Sequence, residues 1–191
     1  MSMRLILTTC FGIEDVVAKE LTECTSAAKI VEFRKGRVIV DVKRIEPVLG
    51  LRSIHHVIKL LSVFEFSDIK ALAQKIMRID FSEELKSSKT FRITSERAGN
   101  HEFTSLDLQR IAGEIIVKRY GKKVSLKNFD TEIRVDAIDN LCYVGVQLTR
   151  ESLHKRGYRV FEHPAALKPT LAYAMLRIAG LKKSESLLDP M

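Results

Sequence analysis

Apolar and polar positions follow two rhythms along the chain, and these divide it into elements. RLILTT (4–9) is a β-rich run broken by Gly12, after which Ile13, Val16, Val17 and Leu21 recur at the spacing of one helical face. KIVEF and RVIVDV, joined at Arg34-Lys35-Gly36, predict a hairpin in which Val38, Val40 and Val42 share one side. A helical stretch from Pro47 to Arg52 and the apolar run HHVIKLLSVFEF (55–66) complete a β-α-β-β-α-β series. That series is the ferredoxin-like plan, a four-stranded antiparallel sheet with two helices on one face.

A second series begins at Ser67 or Asp68, either of which can cap a helix striped by Ile69, Leu72, Ala73, Ile76 and Ile79. After a polar stretch at 82–90, FRITS (91–95) predicts a strand and ERAGNHEF an exposed loop. Thr104 to Asp107 fits a capping-box variant, opening a helix with Leu108, Ile111, Ala112, Ile115 and Ile116 inward and Gly121 at its close. VSL (124–126), TEIRVDAI (131–138) and CYVGVQL (142–148) read as strands, and the alternation in the last two predicts one buried face each. Beyond a basic linker, Pro169 falls near the first turn of a helix with Leu171, Ala174, Met175 and Ile178 inward and Gly180 ending it; LLDPM (187–191) reads as a strand. The expected class is α+β, with divisions at 1–66, 67–149, a linker at 150–163, and 164–191.

Composition narrows the classes. Hydrophobic residues at 46% and charged residues at 29% are a globular profile, not a disordered or fibrous one. The apolar runs fall short of the roughly 18 to 20 residues a bilayer span needs, and the N-terminal run is too brief for a signal peptide. A cytoplasmic protein without membrane contact is expected. Cys10, Cys24 and Cys142 are far apart and odd in number, so neither a disulfide framework nor a metal site is signalled; reduced, mostly buried thiols are expected. The net charge of +8 favours a polyanionic partner, nucleic acid being the commonest. Arg150, Lys155, Arg156, Arg159, Lys168, Arg177, Lys182 and Lys183 face only Glu151 and Glu162 over the same stretch.

No catalytic constellation emerges: G-x-S-x-G, H-E-x-x-H, P-loop and G-x-G-x-x-G patterns are all absent from the sequence. His55 and His56 are adjacent in a strand, so one is expected buried and one wet, not both on a metal. Asp130, Asp136 and Asp139 fall around a hairpin and read as solvated. The ERAGNHEF loop carries more: Arg97, Gly99, Asn100 and His101 set a forked donor, a flexible backbone and two polar groups just past a strand end. An arginine fork suits phosphate because it donates two hydrogen bonds at once.

These residues carry a resemblance. FRITSERAGNHEFTS resembles the R-x-G-x-H-x-F-x-S stretch of THUMP domains, and the segment from Tyr143 through HPAALKPTLAYAMLRIAG looks like the join between that domain and a methyltransferase. T-x-x-S-L-x-x-R-G-Y-R, at Thr149 to Arg159, is the most specific part together with HPAALKPTLA. The likeness runs through the whole chain in order, toward S-adenosylmethionine-dependent tRNA methyltransferases that modify the exocyclic amino group of a guanosine. It implies a small ferredoxin-like domain, then a THUMP α/β domain that holds the tRNA acceptor stem and single-stranded 3′ end, then the helix and first strand of a Rossmann-like domain. By this resemblance Arg97, His101, Lys127, Asn128, Arg150, Lys155, Arg156 and Arg159 contact RNA. Pro164, Lys168, Pro169 and Thr170 match the helix lining the S-adenosylmethionine pocket; no catalytic residue is assigned, and no cofactor is expected bound to this stretch alone. Where family members often have N-P-D, this chain has Asn128-Phe129-Asp130.

In the family the sequence after LLDPM is the glycine-rich cofactor turn, so the expectation is the RNA-binding portion of such an enzyme, inactive alone. The exposed C-terminal segment is a candidate dimer surface. The alternatives are a free-standing THUMP protein that presents tRNA to another modification enzyme, and a ferredoxin-like module that binds a small metabolite.

Overall fold

The computed structural model describes residues 2–155, 166–182 and 184–188. It divides into two compact units, one formed by residues 1–57 with 151–191 and the other by residues 58–150.

The first unit opens with β1 (Met3–Thr8), α1 (Glu14–Cys24), β2 (Lys29–Arg34), β3 (Arg37–Val42) and α2 (Glu46–Leu49). β3 lies between β1 and β2, antiparallel to both, with Leu5 opposite Val40 and Phe33 opposite Val38. Leu5, Leu7, Val17, Leu21, Val38, Val40 and Val48 form its core, so the hairpin and helix stripes found in the sequence face one another. Each such side chain taken fully from water contributes about 1.5–3 kcal/mol. Glu20 of α1 is buried, and its carboxylate accepts from the Arg52 and Ser53 amides (2.8 and 3.0 Å) and the Ser53 hydroxyl (2.5 Å).

The second unit contains β4 (His56–Glu65, its first two residues counted with the first unit), α3 (Ile69–Ile76), α4 (Ser82–Leu85), β5 (Thr90–Thr94), β6 (Arg97–Ala98), α5 (Ser105–Tyr120), β7 (Lys123–Val124), β8 (Thr131–Ile138) and β9 (Leu141–Gln147). Its strand order is β4-β9-β8-β5-β7; β5 is parallel to both β8 and β7, and β6 extends along β8 beyond β5. The Asp68 carboxylate caps α3 by accepting from the Lys70 and Ala71 amides, and Thr104 with Asp107 forms a reciprocal capping box on α5. Leu72, Ile76, Leu108, Ala112 and Ile116 from the helices meet Phe91, Ile93, Ile133, Val135 and Ala137 from the sheet. Gly145 sits where a Cβ would lie 2.4 Å from the Lys59 carbonyl oxygen, so the irregular β4–β9 pairing requires glycine there. The chain's last described helix, α6 (Pro169–Ile178), belongs to the first unit, where Ala174 packs on Ile13 and Val16.

Several expectations need correction. β8 is buried on both faces, not one: Glu132, Arg134 and Asp136 are its second buried set. Asp136, read as solvated, is only 1% exposed, because Arg134 donates to both its oxygens (3.1 and 3.0 Å) and the Glu96 amide to one (2.9 Å). The polar stretch at 82–90 holds the short helix α4, with Leu85 in the core, and the Arg97 end of the exposed loop pairs with β8 as β6. Met175 and Ile178 of α6 are 55% and 69% exposed, the buried face being narrowed to Thr170 and Ala174. Leu187 and Leu188 are in no strand and are 62% and 84% exposed, since no described strand offers them a ladder. Asp189, Pro190 and Met191 lie outside the described residues. His55 and His56 are both half-buried, and of the cysteines Cys142 is buried, Cys10 half-buried and Cys24 exposed.

Candidate nucleic-acid interface

The RNA-contact residues that the sequence reading assigns to the second unit lie at the two ends of β8. At the end carrying Ile138, β6 pairs Arg97 with Ala137 and Ala98 with Ile138, and the chain then turns through Gly99. Gly99 has φ 107°, and a Cβ there would come within 3.0–3.2 Å of Asp139, so this close crossing admits only glycine. The His101 Nε2–H donates to the Asp139 carbonyl (2.6 Å), which leaves Nδ1 to accept from the Arg97 guanidinium at 3.4 Å. Arg97 also donates to the Gly99 carbonyl (3.1 Å). His101 stacks on Phe103, their centroids 4.9 Å apart, and Phe103 in turn reaches Phe66. The adjoining cleft, about 540 Å³, is lined by Ser67, Asp68, Ile69, Asn100, His101, Glu102 and Phe103, so two carboxylates share it with the imidazole. At this end the imidazole is engaged at both nitrogens, whereas the exposed Arg97 guanidinium holds the loop through Nη1 alone.

At the other end of β8, Lys127, Asn128 and Phe129 lead into Thr131, and Arg150 follows β9 to the same end because β9 runs antiparallel to β8. The eight residues of β8 separate the two ends by roughly 23 Å at about 3.3 Å per step. The Lys127–Asp130 loop is pinned to the start of β5. The Asp130 carboxylate accepts from the Lys89 amide (2.8 Å), the Thr90 amide (2.9 Å) and the Thr90 hydroxyl (3.1 Å). Those donors, above all the Thr90 amide, hold its pKa below the ordinary carboxylate value. The Arg92 guanidinium lies 4.2 Å from the Phe129 ring centroid and is fixed by Glu132 (2.6 Å); the Arg150 guanidinium lies 5.8 Å from the same centroid. Lys127, Asn128 and Arg150 are exposed. Arg92 is not singled out by the sequence, and Phe129 only as a departure from N-P-D; the placing of Arg92 and Arg150 around one aromatic ring exists only in the fold.

The remaining assigned residues fall in the first unit or outside the described chain. Lys155 and Lys168 are exposed, Pro169 begins α6, and Thr170 is fully buried. The Thr170 hydroxyl is 3.2 Å from His55 Nε2 and 3.7 Å from the Cys10 sulfur, which is itself 3.4 Å from that nitrogen. Burial, with the charges of His154, Lys168 and His56 as smaller causes, pushes the His55 pKa down to about 4, so the ring is neutral at pH 7. The structure thus gives Thr170 an internal partner set that sequence reasoning missed. Arg156, Arg159 and Pro164, with Gly157 and Tyr158, lie outside the described residues. Among the described residues no three His, Cys, Asp or Glu side chains form a metal set, and no helix is long and apolar enough to cross a membrane.

Comparison with known proteins places these elements. Residues 64–147 match the THUMP domain, and residues 156–191 match the RMKL-like methyltransferase domain. A tRNA (guanine(6)-N2)-methyltransferase of Archaeoglobus fulgidus is 36% identical across 99% of this chain and 50% of its own length. Among solved structures, TrmN from Thermus thermophilus superposes with a TM-score of 0.71 at 34% identity, covering 93% of this chain and 55% of that one. SMU.472, crystallised with SAH, matches with a TM-score of 0.75 at 22% identity over 96% of this chain and 50% of its own, a likeness of fold alone. The chain spans about half the length of the curated relatives it matches. The chain thus carries a THUMP domain across its second unit, followed by a segment that matches an RMKL-like methyltransferase domain.

Proposed function

We propose that this chain is the RNA-holding part of an S-adenosylmethionine-dependent tRNA methyltransferase that acts on the exocyclic amine of a guanosine. In this reading it binds the acceptor stem and single-stranded 3′ end while methyltransferase residues outside the given sequence carry out the transfer. The observation that carries it is the exposure of Lys127 and Arg150 toward the Thr131 end of β8 in a unit matched to THUMP, on a chain of net charge +8. The relative's printed activity and the methyltransferase match at 156–191 supply the reaction class, and that match weighs against a free-standing THUMP protein. The reading keeps a ferredoxin-like domain at 1–66, the THUMP domain at 67–149, the linker at 150–163 and the methyltransferase start at 164–191, in a cytoplasmic enzyme.

Lys127, Asn128, Arg150, Lys155, Arg156 and Arg159 supply the RNA contacts. Arg97 and His101 belong to the same set; His101 acts by holding the loop, since both its ring nitrogens are engaged within it, and the exposed Arg97 holds it through Nη1 alone. Pro164, Lys168, Pro169 and Thr170 form one wall of the S-adenosylmethionine pocket; the chain alone is inactive and holds no cofactor. The exposed Met175, Ile178, Leu187 and Leu188 support a surface covered by further methyltransferase residues or by a second copy in a dimer. Binding of the purified chain to tRNA with an intact 3′ end, against the same tRNA trimmed there, tests the reading. Preference for the intact end is expected, with affinity falling steeply as salt rises. Equal affinity for both would sink it.

A further inference from the structure

Six aromatic side chains of the second unit, Phe64, Phe66, Phe81, Phe91, Phe103 and Tyr120, join or pack on its core, whereas Phe129 does not. Phe129 is half-buried in a polar loop, where a solitary phenylalanine gains little from packing. Its surroundings are cationic instead. Arg92, fixed on Glu132 and donating to the Leu126 carbonyl (3.4 Å), supports the ring at 4.2 Å. The second guanidinium is different in kind: Arg150 is exposed, and among the described residues it contacts the ring without any carboxylate partner. The loop itself is preorganised, because Asp130 ties one end to Lys89 and Thr90, and the Ser125 amide donates to the Phe91 carbonyl (2.9 Å) at the other. A ring held in place, one rigid cation beneath it, one displaceable cation beside it and an exposed Lys127 next door is the equipment for a flat, anionic ligand.

We propose that Phe129 is a stacking platform for one unpaired base of the bound RNA, with Arg150 and Lys127 taking the flanking phosphates. The inference rests on the RNA-binding reading above and deepens it. An unpaired base presents its π-face to an aromatic ring or a guanidinium plane, whereas a paired and stacked base has no face to offer. The exposed Asn128 amide offers both a donor and an acceptor toward the base edge, but the platform accepts any base, as stacking does.

The experiment uses a short single-stranded RNA carrying one 2-aminopurine, titrated with the full chain and with Phe129→Leu and Phe129→Tyr. Leucine keeps apolar bulk for folding but lacks the π-face; tyrosine keeps the face. The wild type and Phe129→Tyr should quench the fluorescent base. Phe129→Leu should lose the quench and about 5- to 150-fold in affinity, with an unchanged slope of log affinity against log salt. Quench and affinity retained in Phe129→Leu, or a loss appearing only as a shallower salt slope, overturns the platform while leaving RNA binding in place. Absence of binding by the wild type overturns the RNA-binding reading and the platform together.

Discussion

At the Ile138 end of β8 an arginine and a histidine bond within their own loop, while at the Thr131 end an exposed lysine and a half-buried phenylalanine sit on a loop pinned by Asp130, with the exposed Arg150 following β9 beside the ring. The residue types are similar and the partners are not. His101 meets a carbonyl, the Arg97 Nη1 and a cleft shared with Asp68 and Glu102, and Arg97 bonds to its own loop; Arg150 and Lys127 are exposed with no carboxylate partner among the described residues. Side chains whose hydrogen bonds are already made shape a surface, and those still solvated are the ones a phosphate can recruit without breaking a prior bond. A motif match alone therefore does not separate contact residues from residues that hold the contact surface.

The comparison can be broken most forcefully at Gly99. Gly99→Val places a branched side chain at positive φ against the Asp139 backbone and should destabilise the second unit by about 3 kcal/mol in denaturant titration. The folded fraction should bind RNA within about twofold of wild type, because the Lys127 end is untouched. A loss of affinity without a loss of stability would make the Arg97 loop a direct contact.

How much of this was readable from residues alone differs between the ends as well. The Arg97 loop was found because its polar residues are consecutive, and α5 because the Thr104–Asp107 box is local. The buried charges of β8 were misread because alternation of polar and apolar positions signals an exposed face, and only the folded pairing of Arg134 with Asp136 neutralises it. α4 is too short to show a period, and the exposure of Met175 and Ile178 depends on how much of α6 the first unit covers. Phe129 stands in the sequence as a departure from a family pattern; its meaning requires Arg92 in the middle of β5 and Arg150 just past β9. Thr170, His55 and Cys10 were likewise distant in sequence and meet only in the fold.

A smaller effect separates the two loops by pH. Asp130 has a folded pKa below its unfolded one, so its anchoring contribution is fully present above the unfolded value near 3.8 and is lost as pH falls through the folded pKa. Amide exchange at Lys89 and Thr90 should therefore accelerate, beyond the intrinsic pH trend, below about pH 3.8, the unfolded carboxylate value. Among the described residues the Arg97 loop makes no contact with Asp130, so Asp130→Asn should abolish the step at Lys89 and Thr90 while leaving amide exchange at Arg97 and Gly99 as in the wild type. A step retained in Asp130→Asn would mean that Asp130 is not the anchor.

The central claim, that the Thr131 end of β8 is where RNA is held, is tested most directly by the salt dependence of tRNA binding in two variants. Lys127→Ala with Arg150→Ala removes two phosphate contacts to a single strand, and the slope of log affinity against log salt should become shallower by about 1.4. Arg97→Ala should leave that slope unchanged. A shallower slope in Arg97→Ala with a wild-type slope in the double variant would contradict the account and move the interface to the opposite end of the strand.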